Sequence, residues 1–207
     1  MKKTILFIFL LFIFYNNQTF SQQSELNILY VGNSLTYTNN LPKLVKKAAR
    51  RKGMNVKSEM IAHPNYALMD HWNDGKVQKL ISTKKFDLVI LQQGPSSQAF
   101  GRQILLEYGE KFKDLCQKNS TRIGYFMVWP ARDHYQTFDG VIANYRKAAQ
   151  IHNAILFAVG EVWKFHFDDT GNYDYYGPDK FHPSEKGSKA AAEVIAEELL
   201  KMKVSFN

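Results

Sequence analysis

Two short segments carry residues that could act on one another chemically. In "VGNSLT" a serine, Ser34, follows an apolar run and a glycine. In "DKFHPS" an aspartate, Asp179, stands three residues before a histidine, His182. A serine hydroxyl attacks a carbonyl only when a base takes its proton. That base is usually histidine, with a carboxylate fixing its tautomer. A turn at the Asp-x-x-His spacing lets Asp179 bond Nδ1 of His182 and leaves Nε2 facing outward, toward Ser34. Another serine arrangement, Gly-x-Ser-x-Gly, fails because Thr36 occupies the second glycine position. Set against this are plain readings: serine is a common turn former, and Asp179 could simply brace its loop.

Other chemistries find less support. His63, His71, His134, His152 and His166 are scattered, and no His-Glu-x-x-His or Cys-x-x-Cys spacing appears, so no metal is expected. "DDTGNYD" has the acid and glycine content of a calcium loop but lacks the alternation and the closing glutamate, so it reads as a turn. There is no glycine-rich phosphate loop, and no organic cofactor is expected. Tyr173, Tyr175, Tyr176 and Phe181 crowd the approach to His182, where they either anchor the loop or face a ligand. Trp129, Pro130, Arg132 and Asp133 follow an apolar run and could line the same cleft. An Arg132–Asp133 pair would be structural more often than substrate-binding.

These residues need elements to position them. Five apolar runs, at 26–32, 54–62, 86–92, 121–129 and 154–160, alternate with helical patterns. The first helix is predicted after Asn40 as cap, with Pro42 in its first turn and Gly53 past its end. Further helices are predicted over 66–82, 102–119, 138–153 and 184–202, the last preceded by a loop at 168–183. Strands alternating with helices predict an α/β fold, a parallel sheet covered on both faces. Right-handed crossovers favour a three-layer α/β/α sandwich with a flavodoxin-like five-stranded sheet. Ligands in such sheets bind beyond the carboxyl ends of the strands. "GNS" and "QQGPSS" follow strand ends, and "FHPS" lies in the last long loop.

Composition bounds the rest. The chain has 207 residues, 45% hydrophobic and 22% charged, which suits one domain over 22–207. Residues 1–21 read as a secretory signal peptide: Lys2 and Lys3, an unbroken apolar run, then Thr19 and Ser21 as small residues near a cleavage site. The expectation is an exported protein, periplasmic or extracellular. No cysteine follows the apolar run to suggest a lipid anchor, and no stable membrane insertion is expected after cleavage. The single cysteine, Cys116, allows no internal disulfide and reads as a packed helix residue. The formal charge is +8, much of it in "KLVKKAARRKG". There Leu41, Leu44, Val45, Ala48 and Ala49 form an apolar stripe, so the basic residues read as a solvated helix face and no nucleic-acid partner is expected.

With both motifs in view, the sequence resembles the SGNH hydrolases, also called the GDSL esterase/lipase superfamily. "VGNSLT" resembles its first block and "DKFHPS" its last. The resemblance implies a Ser34–His182–Asp179 triad, with the Ser34 amide serving the oxyanion. The middle blocks depart from the family. Where a second-block glycine belongs, the sequence has "AHPNYALMDHW", and Asn65 is the best match for the oxyanion amide because asparagine tolerates unusual backbone angles. Where the third block has Gly-x-Asn, the sequence has "LQQGPSSQ", with Gly94 present and Ser96 in the asparagine place. Gln92 or Gln93 could supply the amide donor, and similarity to a branch with Leu-Gln after the third strand favours Gln92. Asn33 replaces the aspartate of the GDSL name. The implied activity is ester hydrolysis, with carbohydrate O-deacetylation preferred, and no lid segment suggests a long-chain lipase. A non-catalytic glycan-binding relative and an O-acyltransferase using the same triad are the alternatives.

Overall fold

In a computed structural model the described residues are 25–204. The signal-peptide reading of 1–21 lies outside them. Five strands form one sheet: β1 (Leu26–Gly32), β2 (Val56–Ala62), β3 (Leu88–Leu91), β4 (Arg122–Phe126) and β5 (Ile155–Phe157). Their order is β2-β1-β3-β4-β5 and every pairing is parallel. This is the flavodoxin-like α/β/α sandwich expected from the alternation of elements. The four residues of β3 are all buried, as a strand covered on both faces requires.

The helices are α1 (Ser34–Tyr37), α2 (Leu41–Arg51), α3 (Leu68–Asp74), α4 (Lys76–Thr83), α5 (Ala99–Lys118), α6 (Phe138–Ile151), α7 (Val159–Thr170) and α8 (Glu185–Val204). On one face α2 packs against α8. Across the other run α3, α5 and α6, and α7 at the β5 edge touches both α6 and α8. The apolar stripe of α2 is buried through Leu41, Val45, Ala48 and Ala49. Asn40 caps it through Lys43 N–H, and Pro42 lies in the first turn. Two cations at its C-terminal end meet α8: Arg51 pairs with Glu193, and the capping residue Lys52 lies 3.5 Å from Glu193 and 3.4 Å from Glu197.

Three expectations are corrected. The pattern over 66–82 is two helices, broken at Gly75, whose φ of 75° is left-handed. The run at 154–160 is strand only over Ile155–Phe157. The chain then enters α7, which reaches Thr170 and takes in the start of the expected loop. Val159, Trp163 and Phe167 are buried at a spacing of one helical turn, and Gly160 donates its N–H to Met127 O at 3.1 Å. A side chain at Gly160 would strike the carbonyl of Val128, so only glycine allows α7 this close to the exit of β4. The run at 121–129 also leaves the sheet early: β4 ends at Phe126, and Met127 N–H still reaches Phe157 O at 3.0 Å. Trp129 lies beyond, fully buried and stacked on Trp163 at 3.4 Å.

Candidate active site

The C-terminal ends of β1, β2 and β3 lie side by side, and the segments leaving them build the site. Ser34 is the first residue of α1, capped by Asn33, whose Oδ1 accepts from Leu35 N–H at 3.1 Å. The same side chain donates through Nδ2 to Tyr66 O at 3.0 Å, binding the segment after β2 to the serine corner. An aspartate in its place could accept the first bond but not donate the second. Thus the departure from the GDSL aspartate has a structural use that the sequence alone did not reveal.

The base lies 148 residues away. Ser34 Oγ is 2.8 Å from His182 Nε2, and His182 Nδ1 is 2.5 Å from Asp179 Oδ2. An ionised carboxylate only accepts, so Nδ1 carries the hydrogen and Nε2 presents a lone pair to the serine hydroxyl. Asp179 Oδ1 accepts the backbone N–H of Phe181 at 3.0 Å and of His182 at 2.9 Å. The His182 bond, supported by these two amides, holds the Asp179 carboxyl below its ordinary range. The three residues named from the sequence are therefore brought into one hydrogen-bonded chain.

The turn that carries Asp179 and His182 is closed and clamped. Gly177 N–H donates to His182 O at 2.7 Å, and Lys180 N–H to Gly177 O at 3.0 Å, with Lys180 in a left-handed conformation. The segment beyond β4 grips it from the side: Trp129 Nε1–H donates to Phe181 O at 3.0 Å, and Arg132 N–H to Lys180 O at 2.8 Å. Tyr176 hydroxyl donates to Pro130 O at 2.8 Å. Asp133 lies 3.3 Å from Lys180, while the Arg132 guanidinium covers the Tyr173 ring at 4.2 Å, so the two neighbours do not pair with each other. Most of the loop aromatics are anchors: Tyr173 stacks on Phe167, Tyr175 on His166, and Tyr176 is buried. Asp174 takes His166 at 3.0 Å and Lys186 at 2.5 Å, which employs the last of the three acidic residues of "DDTGNYD" in bracing the loop. Among the described residues no group of three or more His, Cys, Asp and Glu could hold a metal ion.

The two oxyanion candidates stand differently. Asn65 follows Pro64 in a turn closed by Tyr66 N–H on His63 O at 3.3 Å, and its φ is 62°. Proline second and a positive φ third is the type II pattern. Neither the Asn65 amide nor the Ser34 amide has a partner among the described residues. Gln92 is buried beneath the serine corner. Its Oε1 accepts Asn33 N–H at 2.8 Å and the Thr36 hydroxyl at 2.9 Å, and its Nε2 donates to Gln93 O at 3.0 Å. The structure employs Gln92 as a brace under the corner, because the corner's N–H would otherwise be buried without an acceptor, and the bond to Gln93 O takes one of its two amide hydrogens. In Gln93 the whole amide NH2 is left over. Its Oε1 is fixed by Leu68 N–H at 2.8 Å, while its Nε2 has no partner among the described residues. Two adjacent glutamines gave the sequence no means of telling brace from donor. Ser96, in the third-block asparagine place, turns its hydroxyl back to Gly94 O at 2.8 Å.

A parallel sheet with a serine, a histidine and an aspartate linked beyond its C-terminal edge is the construction used by α/β serine hydrolases. The GDSL-like lipase/acylhydrolase family profile matches residues 36–195. The chain belongs to that family, within the SGNH hydrolases. The matched span contains Asp179 and His182 and begins two residues after Ser34. Among solved structures, a proposed SGNH hydrolase from Slackia heliotrinireducens superposes with a TM-score of 0.72 at 21% identity, covering 85% of this chain and 100% of that one. A family 3 carbohydrate esterase from Clostridium thermocellum gives 0.69 at 14%, covering 88% and 99%. The lipase/acylhydrolase from Enterococcus faecalis gives 0.66 at 15%, covering 84% and 95%. No curated protein matches the chain. Family and neighbours together support ester hydrolysis in general terms.

Proposed function

We propose that the protein is an exported serine esterase that removes an O-acyl group, acetyl by preference, from a carbohydrate. The observation that carries this reading is the unbroken chain from Ser34 Oγ through His182 to Asp179, at 2.8 and 2.5 Å. Ser34 Oγ attacks the ester carbonyl carbon while its proton passes to His182 Nε2. The new imidazolium is stabilised by Asp179, and it gives that proton to the departing alcohol oxygen. Water then attacks the acyl-enzyme, losing a proton to His182, and the carboxylic acid leaves as Ser34 regains its hydrogen. The oxyanion falls to the Ser34 and Asn65 amides and the spare amide of Gln93. The carbohydrate preference draws on two neighbours, the family 3 carbohydrate esterase and an acetyl xylan esterase. The basic, then apolar, N-terminus motivates export.

The test is hydrolysis of p-nitrophenyl acetate by the folded protein, by Ser34→Ala and by His182→Ala. The wild type is expected to turn over and both variants to lose turnover. Activity surviving in Ser34→Ala would sink the triad. An inactive wild type that still binds acetylated glycans would favour the glycan-binding reading instead.

A further inference from the structure

Ser34 and His182 come from opposite ends of the chain, so something other than their own bond must fix the gap between them. Five residues beyond Ser34 the chain runs through two consecutive left-handed residues, Asn39 at φ 54° and Asn40 at φ 52°. A non-glycine residue adopts this conformation at an energetic cost and keeps it where the surroundings require it. Asn40 uses it to cap α2. Asn39 uses it to aim its side-chain amide across the site. Its Nδ2 donates to Pro183 O at 3.1 Å and to Ser188 Oγ at 2.9 Å. Pro183 follows His182 directly, and Ser188 is a buried residue in the first turns of α8.

We propose that Asn39 is a positioning residue that holds the base-bearing segment at hydrogen-bonding distance from the nucleophile. The inference rests on the triad reading given above. One NH2 group carries two hydrogens, and each is used on a different part of the His182 arm. The strap therefore fixes both the position of that arm and its rotation relative to α1. Asn39 itself is exposed, so no core packing depends on it. Ser188 Oγ, if released, can rotate onto the Ser184 carbonyl one helical turn back. Cutting the strap should thus alter kinetics far more than stability. Reactive groups displaced by about 1 Å lose up to about 100-fold in rate.

Two variants separate the strap from the backbone. Asn39→Gly keeps the left-handed conformation without strain and removes the amide. Asn39→Asp keeps the shape and turns an acceptor toward the Pro183 carbonyl. Each is compared with wild type in p-nitrophenyl acetate turnover, thermal melting, and the rate and final extent of Ser34 labelling by a fluorophosphonate. The expected result is kcat lower by about 10- to 100-fold with KM within about twofold. Labelling should be slower by a similar factor but still go to completion, with the melting temperature nearly unchanged. Wild-type labelling rates in both variants would overturn the strap. So would incomplete labelling that tracks a fall in melting temperature, since that marks a merely structural residue. A wild type that resists labelling at Ser34 would remove the triad and the strap together, whereas normal wild-type labelling isolates the result to Asn39.

Discussion

At the residue scale the two adjacent glutamines separate cleanly by their partners. Gln92 gives the buried Asn33 N–H its acceptor. Gln92→Leu leaves that N–H unpaired in the interior, so a loss of about 1–3 kcal/mol is expected in a denaturant titration. Gln93 is bound through its oxygen and spare at its nitrogen. Gln93→Glu keeps the acceptor for Leu68 N–H and removes the donor. Its expected signature is kcat reduced about 100- to 1,000-fold with the fold intact, read by steady-state kinetics beside circular dichroism. Equal kcat in Gln93→Glu and wild type would assign the oxyanion to backbone amides alone. Cys116 shows the opposite case, a reactive residue type made inert: burial pushes its thiol up to about 12.

At the scale of elements, α5 meets the sheet through Gly109. A β-carbon there would land on the Tyr125 hydroxyl and lie 2.8 Å from His152 Cε1. In an exposed helix interior, Gly→Ala stabilises by about 1 kcal/mol. Here overpacking wins: Gly109→Ala is expected to destabilise by about 1–3 kcal/mol, lowering the denaturation midpoint. A raised midpoint would show that the helix shifts freely. The element most poorly read from sequence was α7. Its segment, "VGEVWKFHFDDT", is rich in aromatic residues and carries a glycine, both of which lower helix propensity. What makes it helical is the contact of Trp163 with Trp129 and of Gly160 with the β4 exit, neither of which has a local signal.

Over the whole molecule, buried histidines set the response to acid. His71 and His152 are fully or almost fully buried. His71 donates from Nε2 to Gly32 O at 2.7 Å, and the Tyr125 hydroxyl lies 2.6 Å from His152 Nδ1. Burial lowers the pKa of both below the ordinary 6.5. The unfolded chain takes up protons at these positions near that value while the folded chain resists, so folding stability is complete above it and declines as pH falls below it. The depressed carboxyls of Asp168, Asp174 and Asp179 add their losses only below the ordinary 3.8. A lower melting temperature at pH 5.5 than at pH 7.5 is therefore expected, and a flat profile between them would contradict it. Among the described residues no helix is long and apolar enough to cross a membrane.

The sequence by itself determined the alternation of buried strands and amphipathic helices, because two-sided burial acts on local patterns, and crossover handedness narrowed the sheet to a few orders that include the one observed. It also marked Ser34, Asp179 and His182, since a nucleophile, a base and an acid have few substitutes. Only the tertiary structure decided which glutamine braces and which has a free donor, why asparagine stands at position 33, and that Asn39 reaches Pro183. Each of those depends on a partner tens of residues away or more, from 25 in Leu68–Gln93 to 144 in Asn39–Pro183. Hydrogen bonds at such separations leave no period, spacing or composition in the chain; they exist only once the sheet has brought the strand ends together.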